Sequence, residues 1–244
     1  MTDPLFSPLV ERAVEIAAEW HDRTYRKGRW SDPCVSAPDG TASRVPAMAH
    51  VTTVAVTVQR AGWGDEAVAA AFLHDTLEDP DQHGNVMTAE ALAALVGGPQ
   101  PPGRRSQTGE AVVRIVEAVT EPKRDAAGEW LPWRVRKEAY LDALRAGPAE
   151  GAAVSLADKL HNAFSMASSL EAGVDIFSDG PGRRALSADA AAQVWFFHAA
   201  LDATRRFDDP RLEPMRDRLA QEVRRFGRAA GVVDRRGEDA APPV

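Results

Sequence analysis

Two short polar segments interrupt otherwise apolar stretches of the chain and carry side chains suited to hydrolysis. The first contains His74, Asp75, Glu78 and Asp79. The apolar spacing predicts a helix over 65–78, on which His74 and Glu78 share one face and the two aspartates lie beside them. An imidazole and a carboxylate can both bind a divalent ion, while acids one turn further on can reach a nearby water. The segment therefore indicates metal-assisted hydrolysis, although a His-Asp pair taken alone also fits a helix end whose acids face solvent.

The second polar segment lies in another mostly apolar helix, predicted over 150–171. Asp158, Asn162 and Ser165 fall at positions i, i+4 and i+7 of this helix and line one stripe. Burying that stripe without partners would cost several kcal/mol, a cost that a bound ligand or metal would offset. An amphipathic helix with a polar outer face is the alternative interpretation.

A third candidate is His50, which enters an apolar helix predicted over 46–61. A lone histidine at such a position is equally compatible with a core residue whose hydrogen bonds are satisfied. Joined with the two polar segments, it completes a set of two histidines and two aspartates suited to Mn²⁺, Mg²⁺, Fe²⁺ or Zn²⁺. Because Cys34 is the single cysteine, no zinc site can be built from thiolates alone.

The hydrophobic periodicity predicts an all-α fold of about eight to ten helices. Apolar residues recur at spacings of three and four along most of the chain, and alternating strand patterns are scarce. The predicted helices not yet mentioned are 8–25, 88–96, 108–120, 133–145, 185–207 and 211–229, the last two forming a carboxy-terminal hairpin over 185–229. The predicted loops are 28–45, 97–103 and 123–131. We expect one domain over 1–230 and a disordered tail over 231–244.

Charge and composition restrict the classes of partner. The chain of 244 residues has 29 Lys and Arg against 36 Asp and Glu, a formal net charge of −7. No overall positive field is available to attract nucleic acid or anionic lipid, so we expect neither nucleic acid nor membrane as a partner. No apolar run approaches the ~20 residues of a membrane span, and no signal-peptide pattern opens the chain. A cytoplasmic protein is expected, and an anionic substrate would need a local basic pocket or a metal.

The ordered set His50, His74-Asp75 and Asp158 resembles the HD superfamily of metal-dependent phosphohydrolases. The flanking residues are similar to those of its Rel/Spo-type branch, the (p)ppGpp 3′-pyrophosphohydrolases. That branch carries the motifs His-x-Gly-Gln-x-Arg-Lys, Pro-Tyr-Ile-x-His-Pro, His-Asp-x-x-Glu-Asp and Leu-Ala-Asp-Arg/Lys-Leu-His-Asn. The counterparts in this chain are HDRTYRK at 21–27, PAMAHV at 46–51, HDTLED at 74–79 and LADKLHN at 156–162. The resemblance covers about residues 8–170.

This resemblance implies a small HD-type hydrolase that holds one divalent ion, expected to be Mn²⁺. The implied metal ligands are His50, His74, Asp75 and Asp158. The acids implied to position and activate the attacking water are Glu78 and Asp79. The implied contacts to the nucleotide are Arg26, Lys27, Asn162 and Ser165. Such an enzyme removes the 3′-diphosphate of ppGpp or pppGpp and leaves GDP or GTP and pyrophosphate, and the small-molecule nucleotide is its implied partner.

Several positions depart from the pattern of that branch. Thr24 stands in place of Gln, Ala47 in place of an aromatic residue and Val51 in place of Pro, and the loop over 28–45 is longer than usual. These changes leave the metal set intact but surround the nucleotide pocket. Another nucleotide phosphate, such as a dNTP, a nucleoside monophosphate or NADPH, therefore stays open as the substrate. A catalytically silent nucleotide-binding module and a homo-oligomeric state also stay open.

Overall fold

The computed structural model describes residues 5–30, 44–101, 104–179 and 185–232. Within these ranges the chain forms nine helices and a two-stranded antiparallel sheet. The helices are α1 (Pro8–Trp20), α2 (Ala47–Arg60), α3 (Asp65–Leu73), α4 (Ala89–Gly97), α5 (Gln107–Glu117), α6 (Trp133–Ala146), α7 (Ala149–Glu171), α8 (Ala190–Thr204) and α9 (Leu212–Ala229). The strands are β1 (Tyr25–Trp30) and β2 (Arg44–Pro46). The predicted all-α class is confirmed, with this small sheet as an addition.

Parts of the predicted loops and tail fall outside the described residues, among them residues 102–103 of the loop over 97–103. The others are residues 31–43 of the loop over 28–45 and residues 233–244 of the tail over 231–244. Among the helices that the structure does describe, none combines the length and the apolar character needed to cross a bilayer.

The first helix is shorter than predicted. Ser7 caps its amino end, where the Ser7 hydroxyl accepts a hydrogen bond from the Val10 N–H at 3.3 Å. The helix ends at Trp20 rather than near residue 25, with His21 as its carboxy-terminal cap, and Arg23 then adopts a positive φ of 52°, which turns the chain. Tyr25 and the residues after it then extend as β1, so that Arg26 lies on a strand and not at a helix end.

Two buried helices form the centre of the molecule. In α3 every residue from Ala67 to Leu73 is buried, and in α7 the run from Gly151 to Lys159 is buried. These helices lack the one-sided pattern of a surface helix because neighbouring elements cover their faces. α7 packs against both α2 and α9, and α3 packs against α1, α2 and α5. The polar side chains at the end of α3 and in the middle of α7 therefore lie in the interior.

The helix predicted over 65–78 ends at Leu73, and this changes the geometry of the first polar segment. Thr76 donates its hydroxyl to the carbonyl of Leu73 at 2.7 Å, and the His74 ring bonds the carbonyl of Ala71 at 2.8 Å. These side chains occupy carbonyls that a continuing helix would need. Residues 74–79 form turns instead, so the prediction that His74 and Glu78 share a helix face is wrong.

The remaining elements enclose one side of the polar interior. The predicted irregular segment over 123–131 is a small hairpin, closed by a bridge between Arg124 and Trp130 and by a hydrogen bond from the Leu131 N–H to the Lys123 carbonyl. The carboxy-terminal helical hairpin is present as α8 and α9. Its first helix starts at Ala190, not at residue 185, because the Asp189 carboxylate caps it.

Candidate functional site

A cavity of about 340 Å³ lies where α2, α7 and the turns after α3 meet. The predicted site residues that line it are Arg26, His50, Asp75, Glu78, Asp79, Asp158, Asn162 and Ser165. His74 is buried directly behind this wall, with its Nε2 atom 3.3 Å from Oδ1 of Asp75. The side chain of Lys27 lies outside the part of the chain that the structure describes.

The orientation of His74 leaves one nitrogen available to a metal. Its Nδ1 lies 2.8 Å from the carbonyl oxygen of Ala71, an acceptor, so Nδ1 carries the proton and donates it. Its Nε2 atom is buried and has no hydrogen-bond partner among the described residues. Burial alone would lower the pKa of His74, but the carboxylates of Asp75 and Asp158 outweigh burial and raise it. The surroundings of Nε2 thus favour a positive charge, supplied by a proton or by a cation.

The second histidine approaches the same point from the first turn of α2. Nε2 of His50 lies 3.0 Å from Oδ1 of Asp158 and 3.7 Å from Oδ2 of Asp75. Burial, with the nearby charge of Arg26, lowers the pKa of His50 to about 4, so this imidazole is neutral at pH 7. A neutral imidazole is the form that binds metal ions.

Three ligand atoms, one each from His50, His74 and Asp158, lie within 4.8 Å of one another. This spacing suits donors that surround one ion, because first-row divalent metals bind nitrogen and oxygen at about 2.0–2.2 Å. Asp75 adds a carboxylate whose two oxygens face the two imidazoles. The donor set, two nitrogens and two carboxylates, fits a divalent cation of hard to borderline character.

The charge of Asp158 is held by two neighbours on its own helix. Lys159 donates to Oδ2 at 2.6 Å, and the Asn162 amide donates to Oδ1 at 2.6 Å. Burial would raise the pKa of Asp158, but the Lys159 ammonium, assisted by His50, holds it well below its usual range. Asp158 is therefore ionised at neutral pH, as a metal ligand must be.

The two predicted acids, Glu78 and Asp79, lie beside a lysine from the 123–131 hairpin. Lys123 donates to Oδ1 of Asp79 at 2.5 Å and to the carbonyl of Glu78 at 2.9 Å. Burial, reinforced by the charge of Asp75, raises the pKa of Glu78 to about 8. Glu78 thus carries a proton at neutral pH, whereas Asp79 faces a cation.

On the opposite side of the cavity, Arg26 contacts the polar stripe of α7. Its guanidinium donates to Oδ1 of Asn162 at 2.7 Å, so Arg26, Asn162 and Asp158 form one chain of hydrogen bonds. Ser165 lies on the same wall, and its hydroxyl is buried with no hydrogen-bond partner in the described part of the structure. A ligand in the cavity would supply the missing partner.

Sequence reasoning missed the basic side of the cavity. It is lined by Lys123, Arg136, Lys137 and Lys159, and the buried carboxylate of Glu121 pairs with both Arg136 and Lys137. The motif at 21–27 singled out Arg26 and Lys27, whereas Arg136 and Lys137 lie inside a predicted helix and belong to none of the four motifs. Nothing in the spacing shows that the 123–131 hairpin folds back over the acids.

Comparison with known proteins gives one family match. A family model described as HD domain matches residues 29–177. A curated relative from Danio rerio, guanosine-3′,5′-bis(diphosphate) 3′-pyrophosphohydrolase MESH1, is 29% identical over 149 residues. This match covers 61% of the present chain and 64% of the relative, so it spans less than two thirds of the relative's length.

Two solved structures are similar in fold. The first, described as a metazoan ortholog of SpoT that hydrolyzes ppGpp, has a TM-score of 0.57 and 20% identity, over 93% of this chain and 99% of that one. The second, lmo0812 from Listeria monocytogenes EGD-e, has a TM-score of 0.52 and 26% identity, over 74% of this chain and 98% of that one. The two likenesses extend over most of this chain and show that its fold is one already seen in these proteins.

Proposed function

Because the chain belongs to the HD domain family, we propose that it is a metal-dependent phosphohydrolase that removes the 3′-diphosphate of (p)ppGpp. The observation that carries the proposal is the buried group of His50, His74 and Asp158, whose ligand atoms lie within 4.8 Å of one another at the wall of a cavity. The activity for which the Danio rerio relative is named supports the choice of substrate.

We assign His50, His74, Asp75 and Asp158 as the ligands of one divalent ion and propose Mn²⁺ as that ion. The unpartnered Nε2 of His74 and the neutral His50 support this assignment. The chemistry that such an ion supplies is Lewis-acid polarisation of a phosphate oxygen and a lowered pKa of a nearby water. Mixed imidazole and carboxylate donors suit Mn²⁺ better than a thiolate-seeking metal.

The proposed reaction is hydrolysis at the 3′ ester. The oxygen of water forms a bond to the phosphorus that is attached to the 3′ oxygen, and the bond between that phosphorus and the 3′ oxygen breaks. The 3′ oxygen takes up a proton as it leaves. The products are GDP or GTP and pyrophosphate, and the water supplies both the oxygen and the protons that balance the reaction.

Asp79 and Glu78 act as the general base and the general acid of this reaction. Asp79 would accept a proton from the attacking water, and the 2.5 Å contact from Lys123, which holds its carboxylate, supports this role. Glu78, whose pKa is raised to about 8, holds a proton near pH 7 and can donate it to the leaving oxygen. General acid and base catalysis of this kind contributes about 10²–10⁴-fold to a rate.

The two ends of the cavity suit the two ends of the substrate. The nucleoside would meet Arg26, Asn162 and Ser165, because a guanidinium offers a planar surface for the base and the hydroxyl needs a partner. Lys27, its neighbour on β1, is proposed to contact phosphate. The 3′-diphosphate would face the basic side around Lys123. This side provides the local positive field that an anionic substrate requires in an acidic protein.

A product assay tests this function. The purified protein is incubated with ppGpp in Mn²⁺ or in EDTA, and ion-exchange chromatography follows GDP and pyrophosphate. We expect both products in equal amounts with Mn²⁺ and none with EDTA. The Asp75→Asn variant loses turnover, while Glu15→Gln, an exposed position on α1, serves as the matched control. No GDP from the wild-type protein at any Mn²⁺ concentration would refute the proposal.

The same assay distinguishes ppGpp from the other candidate substrates. Ala47 lines the cavity where the Rel/Spo-type motif has an aromatic residue, so the space beside the nucleotide differs. A panel of ppGpp, a dNTP, GMP and NADPH compares kcat/KM under identical conditions. We expect ppGpp to rank first, and a higher value for another member would keep the metal chemistry but reassign the substrate. If the protein binds ppGpp but hydrolyses none of the four compounds, it is a silent binding module.

We further propose that residues 1–230 form this single hydrolase domain and that the enzyme acts in the cytoplasm. The packing of α9 along α7, the helix that carries Asp158, supports the extent of the domain.

A further inference from the structure

His50 contacts a second histidine that belongs to neither the proposed ligands nor the proposed acids. Its Nδ1 atom lies 2.7 Å from Nδ1 of His161 on α7, and the two rings stack with centroids 5.0 Å apart and planes at 19°. The opposite edge of the His50 ring, Nε2, faces Asp158 and Asp75. One ring therefore connects a carboxylate cluster on one side to His161 on the other.

The short Nδ1 to Nδ1 contact fixes how the protons can be arranged. A hydrogen bond between two such nitrogens needs one proton between them, so one histidine donates and the other accepts. If His50 donates through Nδ1, its Nε2 carries a lone pair. If His161 donates instead, the remaining proton of a neutral His50 lies on Nε2 and points at Oδ1 of Asp158, 3.0 Å away. Only the first arrangement allows Nε2 of His50 to bind an ion.

We propose that His161 is a positioning residue that accepts the Nδ1 proton of His50 and thereby presents the Nε2 lone pair of His50 to the ion. The orientation of the His50 ring is set by the same contact, because α7 holds His161 three residues after Asp158. His74 uses the carbonyl of Ala71 for the same purpose, so each ligand histidine has its own acceptor at Nδ1. Histidine suits position 161 because it can also donate when no ion is present.

The inference rests on the proposed metal site and predicts a loss of ion affinity without direct contact. Removing the hydrogen-bond partner of a ligand histidine typically weakens metal binding about 10–100-fold. His161→Leu keeps the approximate volume but cannot accept a proton, and we expect a loss in this range for Mn²⁺. His161→Asn places a carbonyl oxygen near the position of Nδ1 and is expected to retain most of the affinity.

The first experiment measures Mn²⁺ binding by electron paramagnetic resonance, which detects the free ion. Wild type, His161→Leu, His161→Asn and the control His198→Leu are titrated, with circular dichroism to verify that each is folded. His198 lies on α8 and does not line the cavity, so His198→Leu makes the same change of side chain away from the proposed site. Equal Mn²⁺ affinity of wild type and His161→Leu would overturn this inference alone, whereas a wild-type protein that binds no Mn²⁺ would overturn the proposed function as well.

The second experiment locates the proton between His50 and His161 by nuclear magnetic resonance and does not depend on enzymatic activity. With ¹⁵N-histidine labelling and diamagnetic Zn²⁺ in the site, we expect a ¹⁵N–¹⁵N coupling across the hydrogen bond between His50 and His161. The His50 spectrum should show a protonated Nδ1 and an unprotonated Nε2. A protonated Nε2 of His50 in the Zn²⁺-loaded protein, or no coupling to His161, would overturn the inference even if a variant failed to fold.

Discussion

Replacing Glu78 by glutamine should stabilise the metal-free protein above pH 5. Burial and the charge of Asp75 raise the pKa of Glu78 to about 8, from an ordinary value of 4.5. In the unfolded chain this carboxyl loses its proton above pH 4.5, while in the folded protein it keeps the proton up to about pH 8. The folded state then binds more protons, so the free energy of unfolding falls as pH rises through this window. Glutamine keeps the shape of the protonated acid and does not titrate.

The size of the effect follows from the two pKa values. One pKa unit corresponds to about 1.4 kcal/mol, so the 2.5 units between 4.5 and pH 7 give about 3 kcal/mol. The free energy of unfolding of the variant should equal that of the wild type near pH 4 and should exceed it by about 5 kcal/mol above pH 8.

Urea unfolding in EDTA, followed by far-ultraviolet circular dichroism, measures the difference at pH 4, 5.5, 7 and 8.5. Glu15→Gln, at an exposed position on α1, is the matched control and should show no pH-dependent gain. The catalytic effect has the opposite sign, since Glu78→Gln removes the proposed acid and should lower kcat about 10²–10⁴-fold. A gain in stability that is the same at pH 4 and pH 8.5 would show that the folded protein does not raise the pKa of Glu78.

Three further substitutions have distinct expected outcomes. Asp158→Asn should abolish Mn²⁺ binding and cost about 3–5 kcal/mol in urea unfolding even in EDTA, because it leaves the buried Lys159 ammonium without its anionic partner; an unchanged midpoint would contradict this pairing. Lys123→Met should lower kcat/KM about tenfold or more, measured by GDP release, because it releases the Asp79 carboxylate; activity equal to wild type would remove Lys123 from the site. Arg26→Ala should raise KM for ppGpp with little change in kcat, since it removes binding shared by ground and transition states, and a pure kcat effect would refute that role.

The residue types and their order along the chain predicted much of the candidate site. The apolar runs before His74 and around Asp158 favour burial, and buried polar groups need partners. That these segments share one site was implied by the resemblance to the HD superfamily and not by the spacing. His50 was found in the same way, as a polar residue that enters an apolar helix. These arguments depend on composition over ten or more residues, and they are insensitive to errors at the helix boundaries.

Other features depend on contacts that periodicity does not contain. The end of α3 is decided by the Thr76 hydroxyl and the His74 ring, which bond carbonyls within the last turn. The position of Arg26 depends on the positive φ of Arg23. Residues other than glycine rarely adopt such an angle, and sequence patterns do not show it. Lys123 reaches Asp79 across a sequence separation of 44 residues through an irregular hairpin. Each is a single local or long-range contact rather than a repeated pattern.

The packing of α7 against α9 has a consequence for biosynthesis. The proposed ligands span residues 50–158, and the helix that carries the last of them is buried against a helix that ends at Ala229. During synthesis from the amino terminus, the ribosome releases His50 and His74 long before α9 exists to cover α7. We therefore expect the proposed ligands to be assembled only after α9 has docked on α7, so that the nascent chain stays inactive until residue 229 has emerged.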